Sequence, residues 1–211
     1  TKPATETEDG EETRTCGNCG ETEKRTVFRL SWKNPFTDVS ESAYYAVPVL
    51  WAFNHDPQVT AGTSDTTFSP DNGCTRGQVV TFLWRAMGCP EPKTTECNFT
   101  DVAADQYYYK PVLWAVEQGI TAGTSDTTFS PNDTCTRGQI VTFLWRTMGQ
   151  PKPTKTDCPF NDVAADAWYL QPVLWAVENG VTSGTSATTF GPDDTCTRGQ
   201  VVTFLYRYAN K

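Results

Sequence analysis

Apolar residues recur three and four positions apart in paired stretches of the chain, and the stretches are separated by loops rich in Gly, Thr, Ser and Pro. In the middle of the chain the first stretch runs from Tyr107 through Trp114 and stops at Gly119, a residue type that commonly ends a helix. The second stretch starts after Thr136 and stops at Gly149. This pattern predicts two helices joined by a polar link, which is a helical hairpin.

The hairpin pattern occurs three times. A Cys-Thr-Arg-Gly-Gln segment begins at Cys74, Cys135 and Cys196, and these positions are 61 residues apart both times. Each copy follows a Phe-x-Asp-Val segment, a Pro-Val-Leu-Trp-Ala segment and a Gly-Thr-Ser segment. The first copy is two residues longer than the others, between Trp51 and Val59. The chain is therefore a tandem repeat, and one structural account must serve all three units.

The start of each second helix is marked in the sequence. In Thr136-Arg-Gly-Gln139 the threonine hydroxyl can accept from one free amide and the glutamine can reach back to the cap amide, which is a capping box. The second helices are apolar over most of their circumference, as expected of helices buried between neighbours. We expect a mainly α fold: three helical-hairpin repeats in a pseudo-threefold bundle, with second helices around the axis, first helices outside and an irregular N-terminal leader.

The composition divides the chain. The leader is dense in Glu, Thr and Lys, has almost nothing that could form a core, and is interpreted as a linker or the end of an upstream module. No apolar run approaches the roughly 20 residues of a membrane span. The predicted segments are 1–33 for the leader and 34–90, 91–153 and 154–211 for the three repeats, with 34–211 forming one compact body.

The chain has eight cysteines, an even number that favours disulfides and an extracytoplasmic location. Two pairings fit the repeat: within a unit, as in Cys97 with Cys135, or between units, as in Cys74 with Cys97. The alternative is that these are buried free thiols. Cys16-Gly-Asn-Cys19 is interpreted as part of a structural disulfide, and no metal site is expected. The disulfide candidates are Cys16, Cys19, Cys74, Cys89, Cys97, Cys135, Cys158 and Cys196.

Taken together, the motifs from Phe36 to Tyr208 resemble three tandem S-layer homology repeats. In that family the last motif more often reads Thr-Arg-Ala-Glu, whereas here Gln78, Gln139 and Gln200 replace the acid. The resemblance implies a three-lobed bundle that attaches bacterial surface proteins non-covalently to secondary cell-wall polysaccharide, commonly a pyruvylated one. It also implies an extracellular location, at the cell wall or cell surface.

Each motif arginine directly follows a helix cap, where free amides and the helix dipole favour an anion such as the carboxylate of a pyruvyl ketal. Nearby aromatic rings and aspartates could contact the sugar. If the arginines bind ligand, truncating them weakens binding more than it lowers the melting temperature. In the alternative, each arginine pairs with the Asp of Phe-x-Asp-Val, and the aspartates serve as caps. The predicted ligand-binding residues are Arg76, Arg137, Arg198, Asp38, Asp101, Asp162, Tyr45, Tyr108 and Trp168.

Charge and motifs restrict the remaining functions. The net charge of −8 and the absence of a basic stripe argue against nucleic acid as a partner. Since His55 is the only histidine and no nucleophile or phosphate-binding motif occurs, we expect no enzyme activity and no cofactor. Two functions remain: a carbohydrate-binding anchor, or a structural subunit that assembles with copies of itself into a surface layer or fibre.

Overall fold

The computed structural model describes Lys2 and residues 10–15, 22–27 and 34–211. Within these residues the chain forms six helices, and the predicted mainly α, three-repeat fold is confirmed. Each unit contributes a shorter first helix and a longer second helix. The helices are α1 (Ala46–Asn54), α2 (Arg76–Ala86), α3 (Tyr109–Glu117), α4 (Arg137–Thr147), α5 (Leu170–Glu178) and α6 (Arg198–Ala209).

The first helices begin and end as the sequence indicates. The prolines Pro48, Pro111 and Pro172 are each the third residue of their helix, where the missing N–H is not needed for an intrahelical bond. α3 ends just before Gly119, whose φ of +66° is accessible to glycine at little cost. α1 has no such glycine and ends at Asn54, followed by the two-residue insertion.

The second helices are started by their side chains. The Thr136 hydroxyl accepts from the Gln139 amide at 3.4 Å, and Gln139 Oε1 accepts from the Thr136 amide at 3.1 Å. The same capping box is complete in α2 and α6, so this prediction is confirmed three times. Because the cap needs only an acceptor at the fourth position, glutamine performs it without a charge.

Each first helix packs mainly on the second helix of the preceding unit rather than on that of its own unit. α3 lies on α2, α5 lies on α4, and α1 closes the circle by lying on α6, while the three second helices contact one another. The link between the helices of each unit carries a phenylalanine that is completely buried in the core: Phe68, Phe129 and Phe190. The three units are therefore interlocked, and none of them packs as an isolated hairpin.

A ring of backbone hydrogen bonds surrounds the pseudo-threefold axis. The Cys74 amide donates to the Cys196 carbonyl, the Cys135 amide to the Cys74 carbonyl, and the Cys196 amide to the Cys135 carbonyl, each at 2.9 Å. All three side chains are fully buried. The ring brings one residue from each unit to the same point, which explains why the cysteine recurs immediately before each cap.

The predicted disulfide framework is wrong for the cysteines that the structure describes. Cys74, Cys135 and Cys196 act as small apolar core residues, the alternative considered above. Cys97 and Cys158 are half-buried at the edge of the same core. The candidates Cys16 and Cys19 lie outside the described residues. The free thiols are Cys74, Cys89, Cys97, Cys135, Cys158 and Cys196.

The leader was predicted to be irregular, but part of it forms two strands. Strands β1 (Gly10–Thr15) and β2 (Thr22–Val27) pair antiparallel, and Lys24 forms an ion pair with Glu11 at 3.0 Å. Threonine and valine favour extended backbone, and cross-strand pairs of opposite charge add to the pairing. The abundance of threonine was therefore the signal for strands.

We predict that the central thiols resist alkylation in the folded protein and that a reductant leaves the melting temperature of the body unchanged. Burial raises the pKa of Cys135 and Cys196 to about 12, so almost no reactive thiolate exists at pH 8. Mass spectrometry after iodoacetamide treatment at pH 8 should show Cys97 and Cys158 modified first.

The control is a Cys16→Ser, Cys19→Ser variant, which removes the leader thiols from the comparison. Equal labelling of Cys135 and Cys97 in this variant, or a melting temperature that falls when dithiothreitol is added, would contradict the assignment of free buried thiols.

Candidate functional site

The motif arginines are buried and join successive units. Arg137 Nε donates to the Phe190 carbonyl at 2.9 Å, and its guanidinium lies 5.0 Å from the centre of that phenylalanine ring. Arg76 makes the same contacts with Phe129, and Arg198 with Phe68. The three arginines are only 3–5% exposed. Each one therefore holds the link of the next unit through a charge-assisted hydrogen bond and a cation–π contact.

The aspartates of Phe-x-Asp-Val hold the same link from its other side. Asp101 accepts from the amides of Phe129 and Ser130 at 2.9 and 2.7 Å, and Asp38 and Asp162 make the equivalent bonds in their own units. The direct arginine–aspartate pair considered from the sequence is replaced by a relay: the Asp binds the phenylalanine N–H and the Arg binds its C=O. The three aspartates thus take the capping role considered for them.

The free helix amides expected to attract an anion are already bonded. The Arg76 amide donates to the Asp133 carbonyl and the Gly77 amide to the Pro131 carbonyl, both at 2.9 Å, and the other two units repeat this arrangement. The third amide of α2 is held by Thr75 in the capping box. Backbone groups of the neighbouring unit therefore occupy the helix start, and any anion must be recognised by side chains.

Two predicted sugar-binding tyrosines are packed between units. Tyr108 is 7% exposed and lies against Gly77, where an added Cβ would come within 2.9 Å of its ring. Tyr45 lies in the same way against Gly199. The glycine of each Cys-Thr-Arg-Gly motif is thus required for close approach of the tyrosine ring. The residues directly before these tyrosines, Tyr44 and Tyr107, are instead exposed.

The outward-facing aromatic residues border clefts between units. Tyr107 is 56% exposed and lies beside a cleft of about 340 Å³, here called the Tyr107 cleft. Tyr44, 60% exposed, lies beside a matching cleft of about 310 Å³, the Tyr44 cleft. The corresponding residue of the third unit is Trp168, also 60% exposed. The predicted contact Trp168 thus falls in register with Tyr44 and Tyr107, and not with Tyr45 and Tyr108.

Three units contribute to each cleft. The Tyr107 cleft takes its aromatic residue from unit two, Arg198 from unit three, and its floor and loop from unit one. The floor and loop residues of this cleft include Gln78, Thr81, Phe82, Arg85 and residues 60–63. The Tyr44 cleft has Arg137, Gln200, Thr203, Phe204, Arg207 and residues 182–185 at the equivalent positions.

A second set of arginines lines the clefts and was missed in the sequence analysis. Arg85 and Arg207 lie in the Tyr107 and Tyr44 clefts, and each donates through Nη1 to a backbone carbonyl at 3.3 Å. Arg146 is the third member of the set. The three are spaced 61 residues apart, so the repeat that drew attention to Cys-Thr-Arg also marks them.

The electrostatics of the Tyr107 cleft favour an anion. Arg198 and Arg85 both line it, and no Asp or Glu is among its lining residues. Arg198 Nη2 is buried without a hydrogen-bond partner among the described residues, and burial lowers the pKa of this guanidinium. A buried donor without a partner is costly, so an acceptor that reaches Arg198 gains more than it would at a satisfied surface.

Comparison with known proteins agrees with this architecture. The S-layer homology domain family matches residues 35–80, 98–141 and 159–202, one segment in each repeat. Since the three segments make up more than half of the chain, the chain belongs to this family, and the resemblance noted in the sequence is confirmed.

The relatives that the chain matches include two cell-surface proteins and one enzyme. The chain is 32% identical to an endoglucanase of Bacillus sp. (strain KSM-635) over 56% of its length, 31% to a cell surface protein of Thermoanaerobacter kivui over 54%, and 33% to the surface-layer 125 kDa protein of Lysinibacillus sphaericus over 47%. These matches span 12%, 15% and 8% of the relatives' own lengths. Family and relatives together place the chain at the cell surface as a cell-wall anchoring module.

Two further features of the described residues bear on the site. No helix among them is long and apolar enough to cross a membrane. They also contain no group of three or more His, Cys, Asp or Glu side chains arranged to hold a metal ion.

We predict that Asp162→Asn lowers the free energy of unfolding at neutral pH and makes this free energy less sensitive to acidification. Desolvation of the carboxylate raises its pKa, but hydrogen bonds from the amides of Phe190 and Gly191 outweigh this effect and lower the pKa of Asp162 below its ordinary value. Because the pKa of Asp162 is lower in the folded state, its carboxylate contributes fully to folding stability above the ordinary pKa near 3.9. This contribution is lost as the pH falls through the folded-state pKa. For this exposed carboxylate we expect a loss of about 1 kcal/mol.

Urea unfolding at pH 7 and pH 3 measures both effects. The original chain should lose stability between these pH values by more than the variant does. An Asp162→Asn chain that is as stable as the original at pH 7, or that loses as much on acidification, would show that the carboxylate does not hold the link.

Proposed function

We propose that the chain anchors a larger surface protein by binding an anionic secondary cell-wall polysaccharide, a pyruvylated one, in its interunit clefts. The observation that carries this proposal is the pair of arginines in the Tyr107 cleft, one of them with a buried donor that lacks a partner. A pyruvyl ketal supplies a carboxylate, and an arginine fork binds carboxylates with charge-assisted hydrogen bonds.

The rest of the cleft suits a sugar ring. Tyr107 offers an exposed aromatic face, and Thr63 and Gln78 add a hydroxyl and an amide group that can bond to sugar hydroxyls. A concave site with an aromatic wall and a few convergent polar groups is typical of small-ligand binding. The overall negative charge does not oppose this, because the local field of the cleft decides which ligand enters.

The motif arginines have two roles in this proposal. Their Nε groups hold the units together, and Arg137 and Arg198 are also among the residues that line the clefts. Truncating them is therefore expected to lower stability as well as binding, unlike the expectation from the sequence. Arg85 and Tyr107 are better probes, since both are less buried than Arg198.

We predict that Arg85→Gln and Tyr107→Ala each weaken binding of purified cell-wall polysaccharide while changing the melting temperature little. A charge-assisted contact contributes about 1.5–3 kcal/mol, which corresponds to a roughly ten- to hundredfold loss at the altered cleft. Chemical removal of the pyruvate groups from the polysaccharide should weaken binding to the original chain, and Arg85→Gln should then have little further effect.

The matched control is Tyr108→Ala, one residue away, which should lower stability by about 3 kcal/mol because it empties a packed interunit position. Unchanged binding of depyruvylated polysaccharide would contradict a carboxylate ligand. Concentration-dependent assembly in sedimentation experiments without any polysaccharide binding would favour the self-assembling subunit, the function that the surface-layer relative suggests.

We predict that the interunit sites are not equivalent. Arg198, in the Tyr107 cleft, has an Nη2 group without a described hydrogen-bond partner. The equivalent Nη2 group of Arg76 already donates to the Thr121 hydroxyl at 3.4 Å. The Tyr107 cleft also includes residues 60–63, which follow directly on the two-residue insertion of unit one. The Tyr107 cleft should therefore bind most tightly.

Calorimetric titration with single Tyr44→Ala, Tyr107→Ala and Trp168→Ala variants tests this asymmetry. We expect Tyr107→Ala to remove the tightest binding phase and the other two variants to leave it in place. Three identical sites in the original chain would overturn the prediction.

A further inference from the structure

A second depression lies on the other side of Tyr107. It has a volume of about 430 Å³ and is formed by the end of α2, the connector between units one and two, and the start of α3. We call it the connector groove and define it by Trp84, Pro92, Thr94, Tyr107, Tyr109 and Leu113. Tyr107 borders both the connector groove and the Tyr107 cleft, so the two depressions adjoin across a single side chain.

The connector groove differs chemically from the cleft. Its walls are mainly apolar, with two tyrosines, a tryptophan, a leucine and prolines, while threonine and glutamine side chains supply polar groups. The charged side chains that line it, Lys110 and Glu91, are paired with each other at 2.6 Å. A groove whose charges are already neutralised and whose walls are aromatic suits an uncharged ligand with apolar faces and hydroxyl edges.

The connector groove is already formed without a ligand, because side chains fasten the connector along its length. Trp84 Nε1 donates to the Pro90 carbonyl at 2.8 Å, and the Tyr109 hydroxyl donates to the Thr95 carbonyl at 2.8 Å. Between these points Glu117 accepts from the amides of residues 93 and 94 at 3.0 and 2.7 Å. A wall fixed in advance loses little conformational entropy when a ligand binds.

We propose that the connector groove binds the uncharged sugar residues that follow the anionic residue held in the Tyr107 cleft, so that the polysaccharide chain crosses Tyr107. This inference rests on the proposed function of the Tyr107 cleft. Two adjoining depressions, one cationic and one neutral and aromatic, match a polymer in which charged and uncharged sugars lie side by side. The connector groove would then favour longer fragments of the polysaccharide, and the Tyr107 cleft would favour fragments that carry a charged sugar.

The third unit supplies a natural comparison for this site. At the positions of Tyr109 and Lys110 it has Leu170 and Gln171, while Trp145 still donates to the Pro151 carbonyl as Trp84 does to Pro90. The repeat thus folds with a non-aromatic, uncharged pair at these two positions. Replacing the unit-two residues by those of unit three removes the tyrosine contact with little risk to folding.

The test is the double variant Tyr109→Leu, Lys110→Gln, with Leu170→Tyr as the matched control in unit three. Binding is measured by calorimetry with two probes made from purified cell-wall polysaccharide: a disaccharide fragment that carries the anionic sugar, and a fragment of several repeats. We expect the original chain to bind the longer fragment more tightly than the disaccharide. The double variant should bind the disaccharide normally and the longer fragment roughly five- to tenfold more weakly, the loss expected for one aromatic contact.

Three results would overturn the inference. One is a double variant that keeps full affinity for the longer fragment with an unchanged melting temperature. Another is an equal loss for both fragments, which would place the effect in the Tyr107 cleft. A third is a Leu170→Tyr control that loses affinity for the longer fragment as the double variant does, because this change leaves the connector groove intact. If the original chain binds neither fragment, the proposed function itself fails, and this outcome is distinct from the other three.

Discussion

The buried arginine at the start of each second helix is the contact on which the rest of the structure depends. Its Nε binds the carbonyl of a fully buried phenylalanine in the next unit, as in Arg137 and Phe190, and its guanidinium covers that ring. Charge-assisted hydrogen bonds of this kind contribute about 1.5–3 kcal/mol, and a buried charge without partners would cost more. Since Arg198 of the last unit binds Phe68 of the first, three small units close into one body.

The same interlocking creates the clefts. Because each first helix packs on the second helix of the preceding unit, residues from three units meet at each site, as Gln78, Tyr107 and Arg198 do. No unit could form such a site alone. The motif arginines belong to both features: each binds the link of the next unit, and Arg137 and Arg198 also line the clefts.

An anchor of this design gains strength from repetition. If each cleft binds one charged sugar, the clefts of a single body can engage one polysaccharide together, and overall affinity then rises through effective concentration without further contacts. The fastened connector and the closed ring of cysteine backbones keep the spacing between units fixed. A fixed spacing suits a polymer ligand whose charged sugars also recur at regular intervals.

The sequence by itself determined the local structure. The 61-residue repeat, the Thr-Arg-Gly-Gln capping boxes and the glycine at the end of α3 act over a few residues, so periodicity and capping rules predict the helices and the threefold arrangement. Tertiary structure decided which of two adjacent tyrosines, Tyr107 or Tyr108, faces the cleft, because neighbouring residues at a helix start point in different directions and the partner surface belongs to another unit. It also decided that Cys135 is a core thiol. Spacing along the chain shows that cysteines recur, but only the packing around the axis shows that the central ones are buried core residues with free thiols.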